Sequence, residues 1–279
     1  MGIKQDIESY FLPYKEIAKT NGVSQDGSDF NAMVDETFFW FNQISPFLNK
    51  DNIRVLEIGS GSGMLLSFLA KSFPTIIFKG IEPFLSGHDH WRELSKKIDN
   101  VKIYNDDIES FRSEEKYDLI FSINVLEHVP KWKNFILKSH ELLSPGGKNI
   151  VLCPDHHLPY ESHYIIPIII NKHITKIIFQ KTIERYEKKN NAIGHYDALN
   201  LIKKKQLSKY LVSLDINYTF NENIKYEILN RLLDNKILLK RQRIIGKIAL
   251  ISIKLNIHKF LLGFLKIPFP YLMLIMEKN

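Results

Sequence analysis

Two patterns alternate along this chain between Ile53 and Cys153. Short apolar runs of strand length, Arg54–Ile58, Ile76–Ile81, Val101–Tyr104, Tyr117–Ile123 and Lys148–Cys153, are separated by stretches of helical periodicity at Met64–Ser72, His88–Ile98 and Trp132–Leu143. Strands alternating with helices in this way predict an α/β fold with a doubly wound, mostly parallel sheet. Ligands of such sheets bind outside the carboxyl ends of the strands, so the residues that follow each run are where chemistry is sought first. Residues 1–50 read instead as an N-terminal helical cap. Within it Val34, Phe38, Phe41 and Ile44 share one helical face and predict core packing.

After Pro154 the rhythm loosens. Residues 154–200 are rich in His, Tyr, Pro and Ile and read as an insertion on the ligand side of the sheet. Residues 222–268 form an apolar segment studded with lysine, after which Tyr271–Met276 reads as a last strand returning to the sheet. The expected organisation is a cap over 1–50 and one catalytic domain over 51–279.

Composition narrows the class. With 44% hydrophobic and 25% charged residues among 279, the chain is globular rather than disordered or fibrous. Its single cysteine, Cys153, excludes an internal disulfide or a cysteine-built zinc cluster, and its start lacks the apolar run of a signal peptide. Both point to a cytoplasmic location. Charge is unevenly spread: residues 1–150 hold 17 Lys+Arg against 21 Asp+Glu, whereas residues 151–279 hold 21 against 10. The basic half suits an anionic partner, such as a phosphate-bearing acceptor or an anionic membrane surface, or is simply a solvated face. Only 7 of the 38 basic residues are Arg, which disfavours a surface that reads nucleic acid. In Ile244–Ile267 the charges are Lys247, Lys254, Lys259 and Lys266, too many for a membrane span. The segment suits either an interfacial helix or a lid helix whose lysines reach out to water.

The first strand runs into a glycine turn, Val55-Leu56-Glu57-Ile58-Gly59-Ser60-Gly61-Ser62-Gly63. Glycines there permit a tight turn and close approach of a ligand to the N-terminus of the next helix. Met64 stands where a dinucleotide-binding fingerprint needs glycine, and no Gly-Lys-Ser/Thr follows, so the P-loop is excluded as well. Glu82-Pro83 ends the second strand about 20 residues on, where a carboxylate can accept hydrogen bonds from ribose hydroxyls. Asp106-Asp107-Ile108 follows the third strand, where a carboxylate can accept from an adenine amino group.

These segments, with Tyr117–Val129 and Leu143-Ser144-Pro145-Gly146-Gly147, resemble the successive motifs of the class I S-adenosylmethionine-dependent methyltransferases across residues 50–155. The resemblance implies a Rossmann-like seven-stranded sheet and S-adenosyl-L-methionine as cofactor. It implies that Glu57 and the turn Gly59, Ser60, Gly61 and Gly63 hold the methionine part, Glu82 with Pro83 the ribose, and Asp107 with Ile108 the adenine. Asn124 and Val125 would line the methyl-donor pocket, and Pro145-Gly146-Gly147 would be the turn before the fifth strand.

Methyl transfer to a hydroxyl requires alignment and a base, and histidine is the natural base near neutral pH. The candidates are His128, within a Glu127-His128 pair similar to that of ubiquinone-type O-methyltransferases, and His157 and His163 after the fifth strand, with His156 and His195 behind them. The loop Pro154–Tyr164 resembles the acceptor side of bacterial methyltransferases acting on glycan or lipid-linked intermediates. A metal cluster of Glu127, His128 and His195 resembles that of small-RNA 2′-O-methyltransferases, but Asn124 replaces one of its carboxylates. No metal is therefore expected. The expected acceptor is a polar or anionic small molecule or glycan. RNA 2′-O-methylation, quinone or phenol O-methylation, and a non-catalytic adaptor at a membrane remain open.

Overall fold

A computed structural model describes residues 2–20, 28–83, 95–190, 192–235, 238–239, 242–265 and 267–279. The chain divides into two compact units. One comprises Met1–Ser122, Leu137–Asn149 and Lys278–Asn279, and the other Ile123–Ile136 and Ile150–Glu277.

In the first unit, helices α1 (Ile3–Thr20) and α2 (Ser28–Ile44) pack on each other, then the chain enters β1 (Arg54–Ile58), α3 (Met64–Ser72), β2 (Ile77–Ile81) and β3 (Val101–Tyr104). Aromatic rings join the cap to α3: Phe41 meets Phe68 edge-on at 5.3 Å between ring centroids, and Phe11 lies tilted 6.4 Å from the same ring. The expected stripe of α2 is broader than its spacing suggested. Val34, Phe41 and Ile44 are buried, but so are Phe39 and Trp40, while Phe38 is only half-buried beneath Lys4 Nζ. The helix is covered on more than one side, which a single amphipathic face does not anticipate.

β1 is parallel to β2 and to β4 (Tyr117–Ile123), and β2 is parallel to β3. After β4 come α4 (Trp132–Glu141) and β5 (Leu143–Pro154). The sheet has seven strands in the order β3-β2-β1-β4-β5-β9-β8, reversing direction of travel between β1 and β4 as a doubly wound sheet does. The fold expectation holds.

Several boundaries differ. Residues 88–94 of the expected helix His88–Ile98 lie outside the described residues, and Ser95–Lys97 form a single 3-10 turn. Ile76 is buried just before β2 rather than in it. The expected strand Lys148–Cys153 begins five residues earlier, which also ends α4 short of Leu143. Pro145-Gly146-Gly147 is thus not a turn before the strand but part of it. Gly146 N–H donates to Lys278 O at 2.9 Å and Lys278 N–H to Gly147 O at 3.0 Å, so pairing with the chain end extends the strand. Gly146 (φ +74°) takes the left-handed kink, and a Cβ on Gly147 would lie 2.9 Å from two carbonyl oxygens.

The second unit carries the short hairpin β6 (Tyr160–Glu161) and β7 (Ile166–Pro167), then α5 (Lys172–Lys189), α6 (His195–Ala198) and α7 (Lys204–Ser213). It continues through β8 (Asn217–Phe220), α8 (Ile224–Asp234), α9 (Arg243–Lys254), a π-helical turn at Phe260–Phe264, and β9 (Tyr271–Glu277), antiparallel to β8. Strand β9 lies where the sequence placed it. β8 went unanticipated because Asn-Tyr-Thr-Phe is a half-exposed edge with no apolar run. The apolar segment Ile244–Ile267 breaks after Lys254, and no helix among the described residues is long and apolar enough to cross a membrane.

Candidate active site

In the first unit the chemistry gathers where β1 and β2 end. Gly59, Gly61 and Gly63 all have positive φ, and the turn is tied down by Gly59 and Ser60 N–H groups on Ile81 O and by Gly63 N–H on Ser60 O. Gly61 N–H donates to Glu82 Oε2 at 2.9 Å, so the acid at the end of β2 is fastened to the middle of the glycine turn. A Cβ on Gly63 would sit 2.6 Å from Ile103 Cδ1, whereas one on Gly61 would meet nothing within 4 Å. The space over Gly61 is open.

Below the turn Glu57 is an acid in a buried strand, 4% exposed between Leu56 and Ile58. Its Oε2 has no hydrogen-bond partner among the described residues, and neither has Ser60 Oγ. Burial, and then the charge of Glu82, push the Glu57 carboxyl up to about 8. A buried carboxyl left short of donors is costly in isolation and suits a cationic ligand group.

At the end of β3, Ile108 is buried and Asp107 exposed. Asp107 Oδ1 accepts from Ser110 N at 2.7 Å and Ser110 Oγ at 2.8 Å, and these bonds hold its carboxyl below the usual range. Pro83 is exposed beside Glu82. The expected donor residues of this unit, Glu57 through Ile108, therefore all stand at the ends of three adjacent parallel strands.

In the second unit, Asn124 adopts a left-handed conformation (φ +55°) directly after β4, with Val125 half-buried beside it. Its side-chain Oδ1 accepts from Tyr271 Oη at 2.7 Å, a bond across 147 residues that nothing local in the sequence announced. The chain then forms a 3-10 turn, Leu126–His128.

His128, His163 and His195 come together as a triangle of rings, with centroids 5.4, 4.9 and 5.4 Å apart. His163 Nδ1 lies 2.7 Å from Glu161 Oε1, and Glu161 Oε2 accepts from Tyr164 N at 2.7 Å. Burial works against the charged form of Glu161, but these bonds hold its carboxyl below the usual range. His163 Nδ1 is then the donor, and Nε2 carries the ring's lone pair when neutral. His195 is held likewise. Tyr164 Oη donates to Glu187 Oε1 at 3.2 Å and lies 3.0 Å from His195 Nδ1, so the ring nitrogen is the donor in that bond. Glu187 is anchored in turn by Gly194 and Tyr196 N–H groups.

His128 is pushed down to about 4 by burial and by its histidine neighbours, so it is neutral near pH 7. Glu127, 1% exposed, is pushed up to about 7 by burial. Neither of its carboxylate oxygens has a hydrogen-bond partner among the described residues. Glu127, His128 and His163 each offer a ligand atom, all within 4.8 Å of one another.

His157 does not join this group. It lines a separate cavity of about 660 Å³, together with Lys204, Lys225 and Tyr226. Its backbone N–H donates to Asp155 Oδ1, which also accepts from Lys204 N and so ties the end of β5 to the start of α7. His156 is buried, with Nδ1 3.3 Å from Ile202 O. Sequence reading missed Glu161 and Glu187 as partners. Glu161, two residues before a histidine in a tight hairpin, was the one with a local signal.

The sequence profile of the methyltransferase domain matches residues 36–196, more than half the chain. An uncharacterised protein of Mycobacterium tuberculosis is 28% identical over 188 residues, covering 65% of this chain, which spans 64% of that relative's length. The malonyl-[acyl-carrier protein] O-methyltransferase of Priestia megaterium is 34% identical over 109 residues, 38% of each chain. Among solved structures, the plantazolicin methyltransferase in complex with SAH superposes with a TM-score of 0.52 at 14% identity, covering 100% of both chains, a likeness of fold. With the glycine turn, the strand-end acids and the reversal of strand order, the profile match places this chain in the methyltransferase domain family.

Proposed function

We propose that this protein transfers a methyl group from S-adenosylmethionine to a hydroxyl of a glycan, sugar-nucleotide or lipid-linked acceptor. The observation that carries the donor half is the pairing of Gly61 N–H with Glu82 above a buried Glu57 whose Oε2 lacks a partner. When bound, the donor supplies a methyl on a sulfonium, already activated for displacement. Glu57 would hold its ammonium, Glu82 its ribose hydroxyls, and Asp107 with the Ile108 backbone its adenine. The open space over Gly61 fits such a ligand. The second unit supplies groups for the acceptor's proton: the neutral ring of His128, and His163 backed by Glu161.

A second observation supports a membrane-held acceptor. In α9 and the turn after it, Ile248, Ile251, Leu255, Phe260 and Phe264 are exposed, while Ala249, Ile253 and Leu262 pack inward against Leu229, Leu232 and Phe269. Lys247, Lys254 and Lys259 are interspersed, and residues 235–276 contain no acid. An apolar outer face with lysines suits the cytoplasmic surface of an anionic membrane. The test is transfer of labelled methyl from S-adenosylmethionine into a host extract split into lipid, glycan, RNA and small-molecule pools. Label is expected on a glycan, on a glycan-bearing lipid, or on a sugar nucleotide in the small-molecule pool, with quinones separated from the other lipids by chromatography. Label confined to RNA or to quinones would overturn the acceptor, and no label despite donor binding would favour an adaptor.

A further inference from the structure

The least satisfied group in the second unit is the carboxylate of Glu127. It is 1% exposed, and neither oxygen has a hydrogen-bond partner among the described residues; His128 Nε2 stands 3.9 Å from Oε1. Buried carboxylates are normally matched by several donors, as Glu161 and Glu187 are in the same unit. A cation is the simplest partner for one.

The histidines are prepared in the same sense. A ring that ligates a metal through one nitrogen usually donates the proton on the other to a carboxylate or a group held by one. His163 does so to Glu161, and His195 does so to Tyr164, itself bonded to Glu187. His128 sits between them, 4.9 Å from the His195 ring and 5.4 Å from that of His163.

We propose that Glu127, His128 and His163 form a binding site for a divalent first-row transition-metal ion, with His195 positioned to complete it. Donor atoms around such an ion lie roughly 3.4 Å apart in a tetrahedral site with bonds of about 2.1 Å. The three here lie within 4.8 Å of one another, so binding draws them closer together. Imidazole with one carboxylate favours zinc most, and manganese less strongly, over magnesium, which prefers oxygen ligands and water. This reverses the expectation of no metal, which rested on Asn124 standing where a carboxylate was wanted. The structure supplies His163 from the β6–β7 hairpin instead. The catalytic use of the ion, lowering the pKa of an acceptor hydroxyl, rests on the proposed function. Its binding does not.

The full-length protein, stripped with a chelator, is titrated by calorimetry with Zn²⁺, Mn²⁺ and Mg²⁺ in turn, and S-adenosylmethionine binding is measured on the same preparation. One equivalent of Zn²⁺ or Mn²⁺ is expected to bind, with Mg²⁺ at least tenfold weaker. Glu127→Gln, nearly isosteric, should weaken binding at least tenfold, and His163→Ala likewise. His157→Ala, in the other cavity, should bind the metal as wild type does. Glu127→Gln should also melt no lower than the stripped wild type and lose the stabilisation that metal confers, so misfolding is recognised separately. Absence of stoichiometric Zn²⁺ or Mn²⁺ binding, or binding that Glu127→Gln leaves intact, overturns the site. Donor binding retained in that case would leave the proposed methyl transfer standing. Metal binding without donor binding would sink that reading and leave the site.

Discussion

The glycine turn of the first unit and the histidine triangle of the second solve opposite problems. The turn is built almost wholly from backbone: Gly59, Gly61 and Gly63 supply left-handed conformations and N–H groups, and one acid 21 residues away is clamped to the middle of it. The triangle is built almost wholly from side chains. Its rings come from residues 128, 163 and 195, oriented by Glu161, Tyr164 and Glu187. A backbone site is specified by glycine spacing and by where strands end, both local in sequence. A side-chain site is specified by tertiary packing.

The comparison is broken most severely at Glu57, the buried acid beneath the glycine turn. Glu57→Gln should cost about 2–5 kcal/mol of S-adenosylmethionine affinity, because an ammonium would lose its buried counter-charge. The same change should improve the fold in base. The folded-state pKa of Glu57 is raised to about 8 from an ordinary 4.5, so the folded protein holds a proton that the unfolded chain has released. Wild-type stability is therefore expected to fall as pH rises from about 4.5 through 8, and Glu57→Gln should flatten that slope. Melting curves from pH 5 to 9, set beside donor titrations, check both halves. A variant that binds the donor normally would remove Glu57 from the site. Gly63→Val comes next, at about 2–4 kcal/mol of stability, since it combines a positive φ with a contact 2.6 Å from Ile103. Denaturant unfolding would measure it.

This contrast also decides what the sequence could reveal. β1 to β4 and β9 were legible as apolar runs between turn signals, and Glu57, Glu82 and Asp107 as acids at fixed places relative to them. β8 was not legible, because a short edge strand is defined by its partner β9 and not by its own hydrophobicity. Pro145-Gly146-Gly147 read as a turn, because its partner, Lys278, lies more than 130 residues away. The histidines were visible as residue types. Which of them meet was not: His157 and His163 are six residues apart in one loop, yet one lines the cavity beside Lys204 and the other contacts His128.

The triangle should fail through its supports while the donor turn stays intact. Glu161 receives donors on both oxygens, so Glu161→Gln turns an amide NH₂ toward either His163 or Tyr164 N–H. Methyl transfer should drop 10- to 100-fold with the donor dissociation constant unchanged. Equal losses in both would show that the variant disturbs more than the acceptor side. Gly61→Ala is the gentler probe of the turn. Its Cβ meets nothing, so stability should fall by only about 1 kcal/mol from the backbone conformation, while donor affinity falls further because the methyl occupies the ligand's space. Unfolding and donor titration on one preparation separate the two effects.

The smallest effect on the fold is expected at the outer face of α9 and the turn that follows. Ile251 is 55% exposed and Phe264 75%, and Phe264 stacks on Phe260 at 5.1 Å between centroids. Replacing both exposed side chains by Glu should change stability by no more than about 0.5 kcal/mol each, because little burial is lost. The inward residues of this segment, Ala249, Ile253 and Leu262, are untouched by the change. Association with vesicles is where the double variant should differ. The wild-type protein should float with vesicles containing anionic lipid, be released as salt rises, and ignore zwitterionic ones, because Lys247, Lys254 and Lys259 act only against a negative surface. Ile251→Glu with Phe264→Glu should abolish flotation and leave donor binding as it was. Flotation that survives the double substitution would assign this face to something other than lipid, and would remove the support it lends to a membrane-held acceptor.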